Sequence, residues 1–220
     1  MEISTSILSV NKEDAIKTFY NIEFAKTDYF HIDVMDGKFV EKDTSDYMWE
    51  FAQTIKHISN VPLDIHLMVC DVNKYVEEYL SLEPTYITVH FESFDITEEL
   101  KKTIDNIKNS GVKAGISIKP NTDIKEILSF LPFVSVVQVM TVEPGAGGQK
   151  LILSTLEKIK KLRKYREENN LNYFIEADGG IKLDNVDLVR EAGADIAVAG
   201  TAIIESKDML ETIKKLKYVT

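Results

Sequence analysis

Short β-like runs alternate with longer amphipathic segments along the whole chain, and this alternation constrains the fold more than any other feature. Eight such runs in 220 residues give one unit per about 27 residues, close to the roughly 30 of a strand–helix–strand unit. The predicted strands are Ile3–Leu8, Tyr29–Val34, Leu63–Met68, Tyr86–His90, Lys113–Ile118, Val134–Met140, Tyr173–Ala177 and Ile196–Ala199. Helical periodicity is clearest over Val72–Leu80, Ile96–Asn109, Ser154–Asn169, Asn185–Ala192 and Lys207–Leu216.

Two parallel architectures can be built from eight such units, a closed barrel and an open doubly wound sheet. The length is at the short end for the barrel and on the long side for the open sheet. The first long turn lacks the GxGxxG pattern of a dinucleotide-binding sheet. No linker or low-complexity tract divides the chain, so the sequence predicts an α/β fold with a single (β/α)8 TIM barrel over residues 1–220.

Charge and composition exclude several classes of function. The formal net charge is −10, whereas a nucleic-acid-binding surface needs concentrated positive charge. No run of eighteen apolar residues is present, and the sequence starts with a β-like run instead of a basic leader. We therefore expect no membrane or nucleic-acid partner and a cytoplasmic location. The single cysteine, Cys70, permits no internal disulfide, and we expect it to be a buried small side chain.

Ionisable residues stand at alternate positions inside two of the predicted strands. In His31-Ile32-Asp33-Val34-Met35 and Asp64-Ile65-His66-Leu67-Met68, they share a strand face with a methionine, because successive side chains point to opposite faces. Buried carboxylates and imidazoles must be paired or bound to a metal. Asp178 ends the seventh strand, so His31, Asp33, His66 and Asp178 are predicted to hold one divalent ion: zinc, iron(II), manganese or cobalt. His57 is expected on a helix surface, and His90 is left without a role.

The two aspartates of this set also have the chemistry of an acid–base pair. Asp33 and Asp178 come from strands far apart in order, so they can approach opposite faces of one substrate carbon, which suits inversion of a stereocentre. Metal coordination of a ketone and its neighbouring hydroxyl would stabilise an enediolate. Met35, Met68 and Met140 fall at strand ends and are predicted to form a lining poor in water.

Three glycine-rich turns follow the last three predicted strands. They are Glu143-Pro144-Gly145-Ala146-Gly147-Gly148-Gln149, Asp178-Gly179-Gly180-Ile181 and Ala199-Gly200-Thr201-Ala202. Each alone is a weak signal, but barrels commonly bind phosphate with the loops after strands seven and eight. Their joint position predicts a site for an anionic group held by backbone N–H groups.

With these motifs in place, the chain resembles the ribulose-phosphate 3-epimerase family over nearly its full length. The resemblance runs in order through Ser6-Ile7-Leu8-Ser9, the segments from His31 to Gly37 and from Pro62 to Val69, the loop from Pro144 to Gln149, Asp178-Gly179-Gly180-Ile181 and Ala192-Gly193-Ala194-Asp195. It implies that Asp33 and Asp178 are catalytic and that they bind the metal with His31 and His66. It also implies substrate contacts by Ser6, His66, Asp178, Gly145, Ala146, Gly147, Gly148, Gly179, Gly180, Gly200 and Thr201.

The implied reaction interconverts D-ribulose 5-phosphate and D-xylulose 5-phosphate in the pentose phosphate pathway. The chain departs from the family pattern at Thr5, at the loop Glu41–Thr44, at Lys119, at Ala146 and at Thr201. Several of these positions lie in loops that would cover the substrate. Epimerisation of a hexulose phosphate such as D-allulose 6-phosphate, and a noncatalytic sugar-phosphate-binding role, therefore stay open as alternatives. A homo-oligomer is possible.

Overall fold

Eight parallel strands close into a barrel in the computed structural model, which describes residues 1–218. The strands are β1 (Glu2–Ser6), β2 (Tyr29–Met35), β3 (Leu63–Met68), β4 (Tyr86–His90), β5 (Lys113–Ile118), β6 (Val136–Met140), β7 (Phe174–Asp178) and β8 (Ile196–Ala199). Each strand pairs with the next along the chain, and β8 pairs with β1. The predicted TIM barrel is confirmed, and all eight predicted strands lie within two residues of their observed bounds.

Eight α-helices occur in the part of the chain that the structure describes. They are α1 (Ala15–Phe24), α2 (Ser45–Ile58), α3 (Val72–Leu80), α4 (Thr97–Asn109), α5 (Leu156–Glu168), α6 (Val186–Ala192), α7 (Thr201–Ile204) and α8 (Met209–Lys217). The five predicted helical stretches match α3, α4, α5, α6 and α8 within two residues. Between β5 and β6 the chain makes only 3-10 turns, Ile124–Ile127 and Leu131–Phe133. None of the helices within residues 1–218 is long and apolar enough to cross a membrane.

The first strand ends two residues earlier than predicted. Leu8 N–H donates to the Ser6 hydroxyl at 3.3 Å, and Val10 N–H donates to the Ile7 carbonyl at 3.0 Å. These local bonds turn the chain away from the sheet. The apolar side chains of Ile7 and Leu8 do not reveal this turn, because both residues still pack against the core.

The main hydrophobic core lies between the outer face of the barrel and the surrounding helices. Phe19 of α1 meets Phe30 of β2 and Phe51 of α2 edge to face, at centroid distances of 6.0 and 5.2 Å. Such aromatic pairs add about 0.5–1.5 kcal/mol each beyond the apolar area that they bury. This packing fixes the strands from outside.

Inside the barrel, a layer of apolar side chains closes the N-terminal end, and Met35, Met68 and Met140 add apolar side chains at the C-terminal rim. Tyr86, Val136 and Ile196 form a small separate cluster with Tyr29 against it. These residues come from alternate strands, as the side chains of one barrel layer do. The interior positions beyond this layer hold buried polar groups instead: Ser4, Ser6, His31, Asp33, Asp64, His66, Thr88, His90, Ser117, Gln138, Glu176 and Asp178. The barrel therefore has a closed apolar base and a polar, C-terminal half.

Candidate active site

The pairing of β2 with β3 sets the ionisable residues of the two strands side by side. The register places His31 opposite Asp64, Asp33 opposite His66 and Met35 opposite Met68. Because all six residues occupy alternate positions, they face the barrel interior together. On the other side, the β6–β7 register puts Met140 opposite Asp178.

His31, Asp33, His66 and Asp178 meet in one buried cluster, with one ligand atom from each lying within 4.8 Å of the others. His31 Nε2 is 3.4 Å from Asp33 Oδ1 and 3.6 Å from Asp178 Oδ2. His66 Nδ1 is 3.3 and 3.2 Å from the same two oxygens. The structure therefore brings together the four residues predicted as metal ligands.

The spacing of these four atoms fits a divalent ion. A tetrahedral ion with ligand distances of about 2.0–2.2 Å separates its ligands by roughly 3.3–3.6 Å, and the four imidazole–carboxylate separations agree with this spacing. His31 Nε2 is buried and has no hydrogen-bond partner among the described residues, as expected of a nitrogen reserved for a metal. The donor set of two nitrogens and two oxygens suits a transition ion.

The four groups also stabilise one another's charged forms. Burial alone would lower the pKa of His31, but the carboxylates of Asp64 and Asp33 raise that pKa well above its ordinary value. Burial likewise opposes charge on the carboxyl of Asp178, yet the neighbouring imidazoles of His31 and His66 lower its pKa to about 2. The site is thus built for two negative and two positive charges. A divalent ion can replace the two imidazole protons without changing that balance.

Asp64 is hydrogen-bonded to Nδ1 of His31, the ring nitrogen that points away from the cluster. Asp64 Oδ2 lies 2.7 Å from His31 Nδ1 and accepts the Ser4 hydroxyl at 2.7 Å. A carboxylate behind a ligating histidine fixes the tautomer and the ring orientation. Glu176 lies beside this carboxylate, and burial together with the charge of Asp64 raises the pKa of Glu176 well above its ordinary value. Burial and the neighbouring carboxylate thus both favour the uncharged form of Glu176.

The two predicted catalytic aspartates accept hydrogen bonds from different kinds of side chain. The Ser6 hydroxyl donates to Asp33 Oδ2 at 2.7 Å, so Ser6, predicted as a substrate contact, lies against a catalytic carboxyl. Gln138 Nε2 donates to Asp178 Oδ2 at 2.6 Å and lies 3.1 Å from His66 Nδ1. Gln138 was not predicted from the sequence. It stands two residues before Met140 on an apolar strand, so the alternation used for β2 and β3 would have found it.

His90, which the sequence left without a role, lies behind His66. Its Nε2 atom is 2.9 Å from His66 Nε2, and its ring is buried and meets the His66 ring edge to edge at a centroid distance of 5.0 Å. His90 thus contacts a predicted metal ligand without joining the cluster. His57 is exposed on α2, as predicted.

A cleft opens above the cluster at the C-terminal ends of the strands. Every predicted site residue except His31 and His66 lines it: Ser6, Asp33, Met35, Met68, Met140, Gly145, Ala146, Gly147, Gly148, Asp178, Gly179, Gly180, Gly200 and Thr201. Lys182, which was not predicted from the sequence, is exposed on this cleft beside the Gly179–Gly180 turn. The two histidines are fully buried beneath the cleft floor.

The loop after β6 reaches across the cleft toward the loops after β1 and β2. A Cβ on Gly145 would lie 3.2 Å from Val40, and one on Gly147 would lie 3.9 Å from Leu8. Gln149 Nε2 closes this loop by donating to the carbonyls of Glu143 at 2.6 Å and Ala146 at 2.8 Å. The departures from the family pattern at Ala146 and in the Glu41–Thr44 segment therefore fall in or next to loops that cover the cleft.

Cys70 does not match the expectation of burial. It is exposed just beyond β3, where its N–H donates to Asp36 Oδ2 at 2.7 Å. The position belongs to the turn that leaves the barrel, and such a turn needs backbone hydrogen bonds more than it needs an apolar side chain.

Glycine is required at position 180 by both the backbone conformation and the neighbouring atoms. Its φ is +70°, and a Cβ would lie 2.5 Å from the backbone nitrogen of Leu151. Gly111 has a similar φ of +82° with nothing within 4 Å of its Cβ position. We expect Gly111→Ala to destabilise the protein by about 1–2 kcal/mol from backbone strain alone, and Gly180→Ala by about 2–5 kcal/mol because overpacking adds to that strain. Urea unfolding of the two variants measures the difference in their free energies of unfolding. Equal losses of stability would contradict the close approach of the Gly180 Cβ position to Leu151.

The closed barrel and its buried histidine–aspartate cluster define a (β/α)8 enzyme with a candidate metal centre. Residues 2–204 match the family model described as the Ribulose-phosphate 3 epimerase family. The chain belongs to this family, and it is an isomerase. The resemblance inferred from the motifs is confirmed.

Curated relatives agree with this assignment. The chain is 37% identical over 215 residues to the chloroplastic ribulose-5-phosphate-3-epimerase of Arabidopsis thaliana, covering 98% of this chain and 75% of the relative. It is 34% identical over 218 residues to the ribulose-phosphate 3-epimerase of Bacillus subtilis, covering 99% and 98%. The fold is shared more widely: a 3-keto-L-gulonate-6-phosphate decarboxylase from Vibrio cholerae superposes with a TM-score of 0.74 at 13% identity, covering 98% and 95%.

Proposed function

We propose that this protein interconverts D-ribulose 5-phosphate and D-xylulose 5-phosphate by moving the proton on C3. The observation that carries the proposal is the position of Asp33 and Asp178, which come from β2 and β7 and both face the imidazoles of His31 and His66 at the cleft floor. Two carboxyls on opposite sides of one site can remove a proton from one face of a carbon and return one to the other face. The names of the relatives support this substrate pair.

The cleft supplies separate places for the two ends of a sugar phosphate. Backbone N–H groups of the turns at Gly179, Gly180 and Gly200 would bind the phosphate, and the Lys182 ammonium at the cleft edge would balance its charge. The carbonyl end would lie over the cluster. Met35, Met68 and Met140 line the cleft there, where they exclude water and offer no proton to the intermediate.

His31, Asp33, His66 and Asp178 would hold one divalent ion, which is zinc, iron(II), manganese or cobalt. When bound, such an ion supplies positive charge next to the substrate oxygens and so makes the C3 proton more acidic. The residues of the chain carry out the remaining chemistry. Asp64 and Ser4 orient His31, and Gln138 orients Asp178.

Proton transfer requires one aspartate to be ionised and the other to carry a proton, so one of the two carboxylates that are charged in the substrate-free cluster must be protonated when the substrate is bound. The ionised carboxylate takes the C3 proton, and the electrons of the C–H bond form the C2–C3 double bond of an enediolate with its negative charge on O2. The protonated carboxyl on the other side then gives its proton to C3, and the carbonyl at C2 forms again. After this step the two aspartates have exchanged protonation states.

The first test is a substrate comparison with the purified protein. We expect metal-supplemented protein to convert D-ribulose 5-phosphate into D-xylulose 5-phosphate, because the cleft has the two carboxyls that this change needs. D-allulose 6-phosphate run in parallel tests the alternative substrate, and a chelator-treated sample tests the ion. Turnover confined to the hexulose phosphate would overturn the pentulose assignment, and silence on both substrates would favour the noncatalytic binding role. The cytoplasmic location and a homo-oligomer stay predictions.

A further inference from the structure

His90 and Glu92 form a chain of hydrogen bonds behind His66 that the proposed chemistry does not use. His90 Nε2 lies 2.9 Å from His66 Nε2, and His90 Nδ1 lies 3.0 Å from Glu92 Oε2. We propose that His90 and Glu92 are positioning residues that hold the His66 ring with Nδ1 directed at the ion. This inference rests on the proposed metal centre and extends it to β4 and the loop after β5.

The hydrogen bonds of this chain can all run in one direction, with His66 donating to His90 and His90 donating to Glu92. His66 presents Nδ1 to Asp33 and Asp178, so a ring that binds an ion there carries its proton on Nε2. That proton can be donated only if His90 Nε2 is an acceptor. The proton of a neutral His90 is then on Nδ1, where Glu92 Oε2 accepts it. Each ring thus has one donor nitrogen and one acceptor nitrogen, and every hydrogen bond from His66 to Glu92 joins a donor to an acceptor.

The charge of Glu92 agrees with its role as the acceptor at the end of this chain. Burial opposes ionisation of Glu92, but hydrogen bonds from His90, Thr122 and the Lys119 backbone lower its pKa to about 2. Glu92 is therefore a charged acceptor, which makes a stronger hydrogen bond than a neutral one.

The far end of the chain is anchored to the loop after β5. Glu92 Oε1 accepts the Lys119 N–H at 2.7 Å and the Thr122 hydroxyl. Lys158 of α5 fixes the same loop by donating from Nζ to the carbonyls of Lys119 and Thr122. Glu92 is thus held by the Lys119 N–H and the Thr122 hydroxyl, in a loop that Lys158 fixes in turn. It can therefore restrain the rings of His90 and His66.

Packing prevents His90 from turning away from His66. Its ring is fully buried and meets the His66 ring edge to edge, with an interplanar angle of 27° that keeps the two Nε2 atoms within hydrogen-bond distance. On another side, Phe39 from the loop after β2 lies 4.8 Å from His90, and the Lys119 ammonium lies 4.0 Å above the Phe39 ring. Lys119 is one of the departures from the family pattern, and here it covers the positioning chain.

Cobalt binding tests the proposal directly, because Co²⁺ has a visible spectrum that reports its ligand geometry. Competition with a chromophoric chelator gives the Kd for Co²⁺. We expect His90→Leu to raise this Kd about 10–100-fold, as loss of a residue behind a metal ligand commonly does, and to change the spectrum. His90→Gln should recover part of the affinity, because its amide oxygen can still accept from His66. His57→Leu, the same change on the exposed histidine of α2, should leave both readouts unchanged.

A merely structural role for His90 would lower the melting temperature of the metal-free protein and leave the Kd and the spectrum as in the wild type. That result in a folded His90→Leu protein would overturn the proposal. If His90→Leu does not fold, Glu92→Gln decides: a weaker Kd with an altered spectrum supports the positioning chain, and wild-type values for both overturn it. A wild-type protein that binds no Co²⁺ would instead overturn the metal centre itself, so the two failures are distinguishable.

Discussion

Asp178→Asn is expected to reduce the rate of epimerisation about 10²–10⁴-fold, the usual contribution of a positioned acid or base, while the barrel stays folded. Asparagine has nearly the same shape as aspartate and can still contact Gln138, but it cannot carry a proton to or from C3. The assay should contain excess ion, because Asp178 is also a predicted ligand. Circular dichroism checks the fold, and the rate of product formation gives the effect.

Hydrogen exchange with the solvent makes this prediction more specific. In D₂O, Asp178→Asn keeps Asp33, so one epimer should still exchange its C3 hydrogen slowly although it is no longer converted. Asp33→Asn should show the reverse preference, exchanging only the other epimer. Asp187→Asn on the surface of α6 is the matched control and should behave as the wild type. Substantial epimerisation by Asp178→Asn would rule out its proposed role.

Removing the metal is expected to abolish turnover and to lower stability. An ion that binds only the folded state at a concentration of 100 times its Kd stabilises that state by about 2.7 kcal/mol. For a chain of this length each kcal/mol changes the melting temperature by about 2–4 °C, so chelation should lower the Tm by roughly 5–10 °C. Readdition of zinc, iron(II), manganese or cobalt in separate samples shows which ion restores both properties.

The ligand residues provide the control for this effect. A protein with both His31→Gln and His66→Gln has lost the two imidazoles of the cluster, and its Tm should therefore respond little to chelator or added ion. A wild-type protein that keeps full activity and the same Tm after chelation would show that the cluster works without an ion. In that event the protonated imidazoles of His31 and His66 would have to balance the two carboxylates.

The central part of the site was predictable because a strand has a repeat of two. His31, Asp33 and Met35 share a face by that rule alone, and so do Asp64, His66 and Met68. The sequence does not state the register between the two strands, but both motifs end in methionine at the C-terminal rim, and the structure pairs those methionines. The alternation of strands with helices and the positions of five helices also followed from periodicity, whereas the closed barrel was preferred to an open sheet because the first long turn lacks a GxGxxG pattern.

Contacts between side chains from separate strands were harder to predict. His90 was recognised at a strand end, yet only the distance between its Nε2 and that of His66 shows that it lies behind a predicted ligand. Glu92 lies in the turn beyond β4, where strand alternation no longer applies. The stretches that became α1 and α2 were not located, although their apolar periodicity is at least as regular as that of α5. The four-residue helix α7 is too short to show a helical repeat.

The partners of the two aspartates have a consequence for successive turnovers. The Ser6 hydroxyl can donate or accept, and Gln138 has an amide oxygen without a partner among residues 1–218 in addition to the NH₂ group that Asp178 uses. Each aspartate can therefore keep a hydrogen bond whether or not it carries the proton. A product that leaves before the aspartates exchange their proton with water leaves the protein in the protonation state that accepts the same epimer back.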